Sequence, residues 1–214
     1  MEINPLRIPV ASMAGIAAII IFSALGIASA LQYPGSSAFL DTLWLDDPGN
    51  TNLNPYGASY FNSACILSGL LLVLFYLGLI RWHSDHTVQK ALLAIGQLSG
   101  ITSGAALLMA GLRPALYGSE HYLWTTVFLG TTAIALLFIT AAFLGHLYYG
   151  WPTLLIGIMG MTLCMIALIL RLVSIDIGIA DLIAVIPAFL WVGAFSGNTY
   201  SRFAGEELKI SVAG

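Results

Sequence analysis

The side chains able to do chemistry gather at the ends of apolar runs rather than within them. Arg113 stands where one run stops, and Glu120 and His121 stand where the next begins. Arg171 closes a later run, Asp176 and Asp181 lead into the last, and Asn62 lies one turn into the second. Asp41, Asp46 and Asp47 hang from a polar stretch after the first run. Two kinds of chemistry fit this set. Arg113 and Arg171 could clamp a phosphate, because a guanidinium grips it with a planar fork of donors. His121 beside a carboxylate could act as a general base, since imidazole titrates near neutrality. The three aspartates offer hard oxygens suited to calcium or magnesium, or they simply shape a solvated turn. The structural alternatives stay open: Arg171 paired with Asp176, Glu120 complementing a helix dipole, and His121 anchoring a helix at the interface.

Other chemistry is poorly provided for. His83-Ser84-Asp85-His86 has metal-ligand types but lacks a third or fourth fixed partner. The four histidines divide between two levels of the chain, so a three-histidine zinc site cannot be assembled, and haem finds no axial histidine inside a span. Cys65 and Cys164 lie within apolar runs and form no C-x-x-C. There is no nucleophile elbow, P-loop or dinucleotide fingerprint. No metal and no cofactor is expected.

The elements that position these residues follow from composition. Of 214 residues, 59% are hydrophobic and 8% are charged, and mean hydropathy is +0.93. Soluble domains carry about 25% charge. A surface so poor in charge excludes a soluble enzyme and a disordered tail, and a net charge of −3 with no basic block excludes a nucleic-acid partner. A helix crossing a bilayer core of about 30 Å needs about 20 apolar residues. Six stretches qualify: 10–31, 59–80, 91–112, 121–144, 152–170 and 178–199. Asp181 and Pro187 make the last the least regular. Arg7, the first apolar run and Ala28-Ser29-Ala30 resemble a signal peptide, but the run exceeds the usual 7–15 residues and reads as a span. The sequence therefore predicts an all-α membrane protein: one domain, 1–214, folded as a six-helix bundle.

Lysine and arginine set its orientation. With the N-terminus inside, the inner side holds Arg7, Arg81, Lys90, Arg202 and Lys209, and the outer side holds Arg113 and Arg171. Both termini are then cytoplasmic, in a multi-pass protein of the plasma membrane. The segment 32–58 becomes an outer cap loop. Within the bundle, small residues must bring helices close, because lipid tails supply no hydrophobic drive between them. Gly96, Gly100 and Gly104 recur every four residues and form such a groove, either within the bundle or against a partner membrane subunit.

The run Asp46-Asp47-Pro48-Gly49, followed by Asn54-Pro55, Phe61-Asn62 and Ser68-Gly69-Leu70-Leu71, resembles the start of a prokaryotic six-helix membrane family known as domain of unknown function 998. Gly111, Pro114 and His121 resemble its second signature. Asp46 and Pro48 depart from its usual Ser-Asp-Leu-Gly, and Ala115 replaces an acidic residue. That family is distantly similar to membrane proteins of the autophagy-modulator and GPI-lipid-remodelling type. The resemblance implies lipids as partners and marks Asp47, Asn54, Asn62 and His121. The leading expectation is an outer-leaflet pocket, lined by Asp46, Asp47, Asn62, Arg113, His121 and Arg171, that binds a lipid headgroup or a cation. The alternatives are an accessory subunit of a membrane complex and a lipid-modifying enzyme with His121 as its base.

Overall fold

The computed structural model describes residues 9–34, 47–82, 86–146, 149–175 and 179–213, with the side chains of the last helix described from Ala180 to Phe203. Six long helices account for most of them: α1 (Val10–Leu31), α2 (Ala58–Gly78), α3 (Thr87–Leu112), α4 (Ser119–Ala142), α5 (Trp151–Leu172) and α6 (Ile179–Ala213). Among the described residues there is no strand. All six are long and apolar enough to cross a membrane. Short 3-10 turns at Asp47–Gly49, Leu79–Trp82 and Ala115–Tyr117 link them. Pro152 sits in the first turn of α5, where its missing N–H costs nothing. α6 runs past the expected 199, and the stretch after its apolar run contains no proline to stop it.

Each helix packs on its chain neighbour, and α1 closes the ring against α6. Small residues set the separations. A Cβ on Gly69 of α2 would lie 2.6 Å from the Gly104 carbonyl of α3, and one on Gly104 would lie 2.8 Å from the Gly69 carbonyl. The two backbones therefore touch. Gly100 faces the Tyr76 ring of α2, while Gly96 faces Ile139 of α4. The Gly96/Gly100/Gly104 row is thus consumed inside the bundle, on two different neighbours. It offers no outward groove to a partner subunit.

Polar side chains tie every seam of the ring. Ser68 donates to Ala18 O (3.1 Å) between α2 and α1. Gln97 donates to Tyr76 O (2.9 Å) between α3 and α2. Ser103 and Thr132 share a 2.6 Å bond between α3 and α4. Tyr122 donates to Arg171 O (2.8 Å) between α4 and α5, and Asn198 to Thr153 (3.0 Å) between α6 and α5. Ser12 donates to Ser196 O (2.7 Å) between α1 and α6. Such bonds average about 0.6 kcal/mol in membranes, so their value is cumulative.

The ends of the ring differ. At one end, called here the Trp82 end, an aromatic core packs edge to face: Phe143 lies 5.0 Å from Trp82 and 5.1 Å from Phe195. The other, the His121 end, holds Asn62, Arg113, Glu120, His121, Arg171 and Asp181.

Candidate functional site

At the His121 end three helices meet around an ion pair. Arg171, in the last turn of α5, bonds to Asp181 in the first turns of α6 and to Thr125 of α4. The two charged side chains are only 8% and 9% exposed. The Arg171 guanidinium also lies 5.2 Å over the Tyr122 ring. Geometry forces this meeting. Ser174 adopts a left-handed conformation (φ 57°) just past α5, so Ile175 N–H turns back to Leu170 O (2.9 Å) and Ser174 N–H to Arg171 O (3.2 Å). That closing motif ends the helix sharply and leaves Arg171 facing the start of α6. The structural alternative for Arg171 was a pair with Asp176, which lies outside the described residues; the pair that is described is with Asp181.

His121 lies beside the pair, in the first turn of α4. Its Nδ1–H donates to Arg113 O (2.7 Å) and Ala110 O (3.1 Å). Both are carbonyls at the end of α3, which have no partner within their own helix. Because carbonyls only accept, the proton must sit on Nδ1. His121 is thereby a cap that α4 places on α3. His121, Thr125, Arg171 and Asp181 line a cavity of about 20 Å³. That is room for about one water, not for a headgroup.

The remaining expected site residues go elsewhere. Arg113 is 45% exposed, pairs with Glu120 at 3.4 Å and lies 5.3 Å over the Tyr117 ring. It does not line the cavity with His121. Asn62 donates to Gly49 O (3.1 Å), so it holds the 3-10 turn against α2. Asn54 is fully buried: its amide donates to Ser29 O (3.2 Å), Ser29 Oγ (3.1 Å) and Pro48 O (3.1 Å), and its Oδ1 accepts from Gly57 N–H (3.0 Å). Its bonding capacity is spent on the chain itself. Asp47 stands near Tyr33, whose phenol is pushed up by burial and then by the Asp47 charge. Asp46 and Asp41 lie outside the described residues, as do His83 and Asp85. The expected single pocket is therefore divided. His121 and Arg171 share a cavity, Arg113 sits on the surface, and the two asparagines hold the fold.

A second hollow was not visible in the sequence. α1 and α6 touch closely toward the Trp82 end, where a Cβ on Gly15 would lie 3.1 Å from Val192 and one on Gly193 would lie 2.8 Å from Ile19. Toward the His121 end they part. The resulting groove has a volume of about 370 Å³, with Ser23, Gly26 and Ala30 on one wall and Leu182, Ile186 and Phe189 on the other. Gly26 has nothing within 4 Å of where its Cβ would be. Pro48 also lines the groove. Phe22, Phe61 and Val185 line both the groove and the polar cavity, so they form the partition between them. Phe22 stacks on Phe189 at 4.5 Å and meets Phe61 edge-on at 6.3 Å. The small residues of α1 were the available signal.

No family model, no curated protein and no solved structure matches this chain.

Proposed function

We propose that this membrane protein binds one membrane lipid from the side, with a hydrocarbon chain in the groove between α1 and α6 and the polar head at the rim by Asp47 and Tyr33. The groove carries this reading. Its volume of about 370 Å³ falls within the range of ligand pockets, about 300–1,000 Å³. From Ile19 to Ala30 it follows α1 for about 17 Å at 1.5 Å per residue. That matches about half of a 30 Å hydrocarbon core, the depth of one leaflet. A chain leaving bulk lipid for the groove gains packing rather than hydrophobic transfer, so selectivity must come from shape and from the head. The distribution of lysine and arginine supports putting this end on the non-cytoplasmic side of the membrane.

The test fills the groove. A side chain at Gly26 meets no neighbour, so Gly26→Phe keeps the fold and occupies the groove. Gly197, equally open but distant from the groove, gives the control Gly197→Phe. Native mass spectrometry of gently purified protein is expected to show bound lipid in the parent and control and its loss in Gly26→Phe. Equal lipid retention by all three would refute the assignment.

A further inference from the structure

We infer that the groove between α1 and α6 measures chain length: it is a slot with two built ends that accepts one straight acyl chain of about 14 carbons, and Ile19 and Gly193 set its limit. The inference rests on the groove being the lipid site and adds which lipids it selects. The deep end is closed by a side chain laid across the seam. Of the groove's α1 residues, Ile19 lies nearest the Trp82 end. A Cβ on Gly193 of α6 would lie 2.8 Å from Ile19 Cδ1, so the tip of Ile19 rests on the Gly193 backbone. Only a residue without a side chain leaves it that place. Below Ile19 the seam is filled: a Cβ on Gly15 would lie 3.1 Å from Val192 Cγ1, and Ser12 donates to Ser196 O at 2.7 Å. A chain that reaches Ile19 has no path farther down and must turn out into the bilayer.

The outer end is fixed as firmly. Pro48 lines it together with Ala30. The fully buried Asn54 donates to Pro48 O (3.1 Å) and to the carbonyl of Ser29, the residue before Ala30 (3.2 Å). Ser29 Oγ adds a bond of 3.4 Å to Pro48 O. One amide thus ties the 3-10 turn to the end of α1, so the two stops keep a constant separation. Between them the groove follows α1 for about 17 Å, from Ile19 to Ala30. An extended chain advances about 1.2 Å per bond, a third of the span of a three-bond residue, so about 14 carbons fill the slot. Each methylene up to that length gains contacts with the walls. Each one beyond it returns to lipid and gains nothing, because lipid tails are as apolar as the helices.

The experiment presents the full chain in detergent with an equimolar mixture of single-chain phosphatidylcholines graded from about 10 to about 18 carbons, and reads the bound species by native mass spectrometry. The common head leaves chain length as the one variable. In the parent, bound lipid is expected to rise with length and to level off at about 14 carbons. Ile19→Ala removes the stop and should move that plateau up by about two carbons. Gly193→Ala displaces the tip of Ile19, and with the seam below filled it moves into the slot, so the plateau should fall by about as much. Gly197→Phe, away from the groove, should keep the parent's profile. Identical length profiles in the parent, Ile19→Ala and Gly193→Ala overturn the inference and leave the groove standing as a lipid site. No bound lipid in the parent, or full retention by Gly26→Phe, overturns the groove assignment itself and the inference with it.

Discussion

The residue whose role the structure changes most is Arg171. Its type and position at a helix end were legible, but its partner was not. Two carboxylates lie within reach in sequence, and only the sharp turn at Ser174 selects Asp181. Breaking a buried pair leaves a charge without compensation and costs about 3–5 kcal/mol, whereas replacing both members by apolar groups is often near neutral. Asp181→Asn should therefore lower the unfolding free energy in detergent by about that amount, and the double change Arg171→Met with Asp181→Leu should recover most of it. A linear sum of the two single losses would contradict the pairing. His121 gives a second contrast. The cap needs one donor at the position of Nδ1, which an asparagine amide can supply and a leucine cannot. His121→Leu should cost about 1–3 kcal/mol and His121→Asn far less, as measured by thermal unfolding. His146 adds a pH term. Its folded value lies below its unfolded value of about 6.5, so folding favours the neutral ring. Stability is full above pH 6.5 and falls as the pH drops toward the folded value. His146→Gln should flatten the melting temperature between pH 7 and 5 relative to the parent.

Helices were the most legible elements, because about 20 apolar residues in sequence have few options in lipid. Their ends were less so. α3 begins at Thr87, before its apolar run, and α6 continues well beyond its own. Hydropathy reports where a helix lies in the membrane, not where it stops. The closing turn of α5 was also hidden, since Ser174 occupies a left-handed position that usually belongs to glycine. An L-residue pays about 1–2 kcal/mol there, so Ser174→Gly should stabilise the protein by about 1 kcal/mol, seen as a rise in melting temperature. Gly104→Val should do the reverse. Its Cβ would strike the Gly69 carbonyl and force α2 and α3 apart, with a loss of about 1–3 kcal/mol. The glycine spacing was plain in the sequence. Which face each glycine met was not, because Gly96 and Gly104 turn toward different neighbours.

For the whole molecule, neighbouring pairs follow from short connections, and the ring from α1 through α6 needs only one long-range contact to close. That contact, where Ser12 donates to Ser196 O, joins residues far apart in the chain and leaves no periodic trace. The groove depends on it, since it opens where α1 and α6 diverge above Gly15 and Val192. Hence the groove was the least readable feature and the one that bears most on function.

The same closure has a consequence for biogenesis. A ribosome delivers α1 first and α6 last of the six, so the Ser12–Gly15 face must wait, unsealed, through the insertion of the four helices between them. The final joint made is then also the one beside the groove proposed to hold a lipid. A chain stalled before α6 should leave α1 loosely attached and open to quality-control proteases, while a lipid seated early could act as a placeholder until its last wall arrives.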